Sequence, residues 1–160
     1  MRRGFTLIEV LIYMAILGVM LLNIVELTSG TFDLRGRARA SLTIEENLRF
    51  VLSRVVARIY DADGITAPAT GTTSTLTLDM LDATENPTTI TLSNGAVLLT
   101  EGTNAAIPLT SDEVTVTTLS FTRLSGTPPG VRIDITGELA AAAGVYQSVL
   151  SLSTTAVIRR

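Results

Sequence analysis

The residue most at odds with its surroundings is Glu9, a carboxylate near the start of the apolar run from Phe5 to Leu27, FTLIEVLIYMAILGVMLLNIVEL. A charge at the middle of a membrane helix costs about 2.5–3.5 kcal/mol on insertion scales, so a carboxylate in such a run calls for a partner. Its other resting place is the first helical turn, where the helix dipole and nearby headgroups ease the charge. The rest of the chain is poor in reactive groups. It has no histidine and no cysteine, and all 12 of its basic residues are arginines. The usual general base, the commonest zinc ligand and the thiolate nucleophile are therefore missing. Serine and threonine abound, but their hydroxyls have no evident activator, and no catalytic residue is expected. Asp112 and Glu113 would point to opposite faces of a strand and read as turn residues ahead of it. Asp61 and Asp63, followed by Gly64, read as the end of a helix and a turn, because two carboxylates fall short of the roughly six to eight oxygens a calcium ion takes. No metal and no cofactor is expected. Arg123, Arg132, Arg159 and Arg160 would form a DNA-binding patch only if the fold gathered them, and the few aromatic residues are not interleaved with them.

The elements that must position these groups follow from hydrophobic patterning. As a helix, Phe5–Leu27 would span roughly 35 Å, against about 30 Å of bilayer hydrocarbon. A secretory signal peptide is the rival reading, since Arg2 and Arg3 precede the run. The run is longer than a typical signal core, however, and Thr28, Ser29 and Gly30 make a weak cleavage site. From Thr28 to Gly36, two glycines and a Thr-Ser pair lower helix propensity and predict a flexible or partly unwound joint. Helical spacing resumes at about Ser41: Ile44, Leu48, Val51, Leu52, Val55 and Ile59 share one face that a sheet should cover. Arg54 and Arg58 lie on the other side, read as a solvated face, and Glu45 stands four residues before Arg49 in the favourable order for an ion pair. After Ala67 the composition turns to short strands between turns. They are expected at Thr75–Asp79, Thr88–Leu92, Ala96–Thr100, Glu113–Leu124, Gly130–Glu138 and Tyr146–Arg159. Ser93-Asn94-Gly95 marks a tight hairpin, and Thr127 to Gly130 marks a further turn. The expected fold is α+β: a long N-terminal α-helix, transmembrane in its first half and amphipathic in its second, packed on an antiparallel β-sheet head.

The stretch Arg3-Gly4-Phe5-Thr6-Leu7-Ile8-Glu9-Val10-Leu11-Ile12 resembles the prepilin cleavage and methylation motif of type IV pilins and type II secretion pseudopilins. The resemblance implies cleavage between Gly4 and Phe5 by the prepilin peptidase, a membrane aspartyl protease, and N-methylation of Phe5 by the same enzyme. It further implies that Glu9 pairs with the terminal amine of a neighbouring subunit. Such pairing would remove two buried-charge penalties at once and set the axial register. The organisation expected is then a leader at 1–4, a transmembrane helix at 5–27, a joint and amphipathic helix at 28–66 and a β-rich head at 67–160.

Charge alone leaves topology open, since Arg2 and Arg3 precede the span while Arg35, Arg37 and Arg39 follow it. The motif implies a cytoplasmic N-terminus and an exported head. Loss of Arg2 and Arg3 with the leader leaves ten arginines against 15 acidic residues, a formal net charge of −5. Asn47–Ile65 is similar to the end of the long helix in W-type minor pilins and J-type pseudopilins, as is the strand order from Ile107 to Phe121. The role implied is that of a structural, non-enzymatic subunit, placed in the inner membrane and then in a pilus or pseudopilus, and acting in a tip or initiation complex. Its implied partners are prepilin peptidase and other pilin or pseudopilin subunits; a DNA or surface ligand at the tip is a separate reading that the residues do not support. The alternative is a membrane-anchored β-domain that binds a ligand, surface or DNA without polymerising.

Overall fold

Helix α1 runs Leu7–Asp61 in the computed structural model, which describes residues 6–140 and 148–159. The backbone of α1 continues through Thr28 to Gly36, where composition predicts a joint. Each glycine costs a helix only about 1 kcal/mol relative to alanine, too little to break a ladder flanked by good helix formers. The chain forms two compact units, Met1–Ala38 and Arg39–Arg160.

Within the second unit the predicted helical stripe is buried. Ile44, Leu48, Val51, Val55 and Ile59 are fully enclosed, with Ala40 and Leu52 nearly so. The helix ends at Asp61 and passes directly into strand β1, Ala62–Ala67. Asp63 and Gly64, expected in a turn, are thus strand residues, and the β-region starts five residues before the predicted boundary at 67. Ala62 and Ile65 explain the difference: both are buried, so β1 adds to the core.

Eight further strands follow: β2 Thr72–Thr73, β3 Thr75–Met80, β4 Thr88–Ser93, β5 Ala96–Glu101, β6 Ile107–Pro108, β7 Val114–Leu124, β8 Gly130–Leu139 and β9 Val149–Val157. The pairing is antiparallel throughout, in a five-stranded sheet of order β1-β3-β4-β5-β6 and a four-stranded sheet of order β2-β7-β8-β9. The β4–β5 hairpin turns at Asn94 and Gly95, with φ of 51° and 79°, as the Asn-Gly pair predicts. Gly95 is needed twice over, because a Cβ there would also lie 2.7 Å from Thr115 Cγ2.

The inward faces of the strands complete one core with α1. They contribute Leu76 and Leu78 from β3, Ile90 from β4, Val97 from β5, Phe121 from β7, and Val131, Ile133 and Ile135 from β8. Along β7 the buried positions change phase, from Val114 and Val116 to Leu119 and Phe121. A register shift between Val116 and Thr118 supplies the extra residue, so Thr117 is a bulge. On β8, Gly137 faces the helix. A Cβ at that position would come 3.1 Å from Leu48 Cδ2, so α1 lies close over the four-stranded sheet.

Candidate membrane anchor and assembly site

Thr6 opens α1. Its carbonyl accepts hydrogen bonds from the backbone amides of Glu9 at 3.1 Å and Val10 at 3.3 Å. Glu9 is therefore the third residue of the helix, and Thr6-Leu7-Ile8-Glu9 has the spacing of a capping box. The carboxylate stands in the first turn, where the unpaired amides at a helix start favour negative charge. It is partly covered, whereas Leu7 and Ile8 before it are 80% and 67% exposed. Gly4 and Phe5, the expected cleavage and methylation residues, lie outside the described residues.

Beyond Glu9, the stretch Leu7–Thr28 is long and apolar enough to cross a membrane, with a mean hydropathy of 2.4 and no part of it buried. Leu11, Ile12, Met14, Ile16, Leu17 and Val19 are each more than half exposed, and they point all round the helix. A helix hydrophobic on every side is covered by lipid or by other helices.

Its few polar groups are compatible with either covering. Asn23 Nδ2 donates to the Val19 carbonyl at 2.7 Å, and Thr28 Oγ1 donates to the Ile24 carbonyl at 2.7 Å. Each side chain thus places a donor on its own helix, which lowers the cost of carrying it through hydrocarbon. A second carboxylate, Glu26, sits two residues from the other end of the span, about 25 Å from Glu9 along the axis. Sequence reading passed over Glu26, yet its place in the run was signal enough: the two acids bracket the apolar stretch, each near a boundary.

The remaining candidates resolve differently. Glu45 and Arg49 form the expected ion pair at 2.7 Å. Arg58 departs from the solvated face predicted for it. Its guanidinium reaches Glu85 at 3.1 Å and also bonds Glu101, which joins α1 to the turn before β4 and to the end of β5. Helical spacing sets Arg58 seven residues after Val51, on the flank of the core stripe rather than opposite it, and only the fold shows which acidic residues meet it there. Arg54 does stay at the surface, 5.5 Å from the Phe50 ring centroid.

The described arginines of the conjectured DNA patch do not all share a face. Arg123 follows the parity of buried Phe121, and its Nη1 donates to the Ile65 carbonyl at 2.7 Å, tying β7 to β1. Arg132 points outward and bonds Asp134. Arg159 is exposed, and Arg160 lies outside the described residues. Asp112 and Glu113 occupy the turn before β7. Among the described residues no three acidic side chains gather as a metal site would require.

Residues 1–22 match the family model of the prokaryotic N-terminal methylation motif. No curated protein and no solved structure matches the chain. The motif covers the Gly4–Phe5 junction, Glu9 and most of the span. It supports a type IV pilin-like or pseudopilin protein, cleaved as prepilins are, anchored in the inner membrane and assembling with other pilins. Pilins that carry the motif are structural rather than catalytic.

Proposed function

We propose that the chain is a minor pilin or pseudopilin subunit that enters a filament of a type IV pilus or type II secretion-like system and acts in its tip or initiation complex. The observation that carries the reading is the continuity of the methylation motif with a helix whose apolar span has no cover within its own unit. In the proposed pathway the leader stays in the cytoplasm and the head is exported. Peptidase cleavage after Gly4 frees the amine of Phe5, which is then methylated. The new amine belongs to the residue four before Glu9 in the sequence.

In the membrane the apolar span is covered by lipid. In the filament the same surface is covered by the helices of other subunits, and Glu9 of one subunit meets the Phe5 amine of the next. The pairing exchanges two costly lone charges for one ion pair and favours a single stagger between neighbours. The likeness of Asn47–Ile65 to W-type and J-type subunits, together with the size of the β-rich head, supports a place at the tip over one in the shaft.

Mass spectrometry of the N-terminal peptide, with and without the prepilin peptidase, tests the reading. A peptide that begins at methylated Phe5 only when the peptidase is present is the expected result. An intact Met1 leader in both cases would overturn it in favour of an anchored β-domain, and a cut near Ser29 would identify a secretory signal instead. Low abundance in sheared filaments relative to other subunits would support the tip assignment.

A further inference from the structure

The two sheets have four edge strands, and three of them are guarded. Strand β2 is two residues long, and β6 is two residues long and contains Pro108. Strand β1 has two irregularities in its register and carries the Arg123 guanidinium on the Ile65 carbonyl. Short length, proline and bulges are the means by which proteins keep a sheet edge from pairing with another chain. Strand β9 has none of them. Its nine residues keep unbroken register with β8, from Gly130↔Val157 to Glu138↔Val149, and hold neither a charge nor a proline. Among the described residues β8 is its only partner, so a row of its N–H and C=O groups faces outward along the other side.

That edge borders a groove of about 580 Å³ between β9 and α1. Arg49, Leu52, Ser53 and Val56 line it from the helix, with Leu152 and Thr154 from the strand. Val56 and Leu152 pack on the core yet are only partly covered. Arg49 is the only ionised side chain on the lining, with 70% of its side chain exposed. Its Nε and Nη2 hold Glu45 Oε1, and no bond of its Nη1 is seen among the described residues.

We propose that this edge accepts an extended segment of another polypeptide chain as a further strand of the four-stranded sheet. Another extended backbone can take the place of water on the outward amides and carbonyls of β9 as a continuous row. Side chains on one face of a strand recur every two residues, about 6.8 Å, so alternate residues of the incoming segment enter the groove. Leu52, Val56 and Leu152 require those residues to be apolar, since a charge there would be desolvated without a partner. At the helix end of the groove the unused Arg49 donors favour a carboxylate. The segment is thus uncharged along β9, apolar at every second residue, and acidic at the end that reaches Arg49. The surface is separate from the α1 span and stands whether or not the chain enters a filament.

The full-length protein in detergent micelles tests this. The probes are blocked nonapeptides of alternating valine and threonine, bearing aspartate at one end or the other. Binding is followed by fluorescence anisotropy, and hydrogen exchange reports on residues 149–157. The proposal expects saturable binding with at least ~10-fold slower exchange along β9, and loss of both with a fully backbone-N-methylated peptide. Ser53→Trp fills the groove from an exposed helix position and should weaken binding ~10-fold or more with an unchanged Tm. Arg49→Glu should shift preference from aspartate-ended to lysine-ended peptides. Absence of β9 protection by any of the peptides would overturn the proposal. Equal binding of the N-methylated peptide, or equal binding by the Ser53→Trp protein, would do the same.

Discussion

Glu9→Ala separates the two duties that the position of this carboxylate allows. As the third residue of α1 it helps the helix to start, which is worth about 0.3–1 kcal/mol through the dipole. Alanine is the better helix former, so most of that loss is recovered and the span stays intact. Pairing with a neighbour's amine is a larger effect. Without the carboxylate, each incoming Phe5 ammonium is left alone among apolar helices, at about 2.5–3.5 kcal/mol on insertion scales. At about 1.4 kcal/mol per decade this is roughly a hundredfold loss in the equilibrium for adding the subunit. Glu9→Gln keeps an acceptor but no charge. A neutral hydrogen bond has about half the strength of a charge-assisted one, so glutamine should fall near a tenfold loss. The assay compares mature subunit in sheared filaments with mature subunit in the membrane, normalised to N-terminal cleavage. Cleavage itself should be unchanged, since Gly4 and Phe5 are untouched. Assembly of Glu9→Ala at the wild-type level would refute the pairing and leave Glu9 as a helix-start residue. A hundredfold loss for both variants would show that geometry as well as charge is demanded.

The remaining predictions concern the head. Leu48→Ala removes a fully buried side chain that lies against Gly137 and should cost about 3–4 kcal/mol in urea unfolding, whereas Gly137→Ala, whose new methyl would press on Leu48, should cost about 1–2 kcal/mol. Together they should cost about 1 kcal/mol less than the sum, because the methyl occupies part of the cavity; strict additivity would show that helix and β8 do not meet there. Arg58→Met leaves Glu85 and Glu101 without their shared cation. All three side chains are 18–32% exposed, so a loss of about 1–3 kcal/mol is expected, and a loss below a few tenths would mark the cluster as a surface ornament. The Asp82 carboxyl accepts from the Thr84 hydroxyl at 2.7 Å and the Thr84 amide at 2.8 Å, and these bonds hold its pKa below the ordinary 3.8. A pKa lower in the folded state means that its contribution is present above the ordinary value and is lost as pH falls through the depressed one. Thr84→Ala should raise the Asp82 midpoint in an NMR titration, and an unmoved midpoint would assign the shift elsewhere.

How much of this architecture the sequence discloses depends on which interactions decide each part. Six of the seven strands of six or more residues, and the helical stripe, were legible because period-2 and period-3.6 burial repeats within a few residues. Even the bulge in β7 leaves a local trace, since Thr117-Thr118 interrupts the alternation of Val114 and Val116 with Leu119 and Phe121. The strands that periodicity missed are β1, which begins without a turn after Asp61, and the two-residue strands β2 and β6. Two residues carry no period, and β1 is created by a register with β3 that joins Ala62 to Met80. Arg58 was misplaced for a related reason: its counter-ions lie 27 and 43 residues away, on elements whose positions only the folded sheet defines.

The same division governs the two candidate sites. A covalent processing motif is read by an enzyme as a linear string, so the roles proposed for Gly4, Phe5 and Glu9 rest on sequence and need no fold. Which strand edge is left open is a property of sheet order. Nothing in Val149–Val157 distinguishes it from a central strand, because the residues that would guard an edge are absent from both. The edge becomes visible only when, among the described residues, β8 is seen to be the one strand paired with β9. If this chain joins a filament through the span Leu7–Thr28, that contact shares no residue with the groove beside β9. Subunits bearing Glu9→Ala should therefore retain peptide binding at β9, and those bearing Ser53→Trp should still assemble.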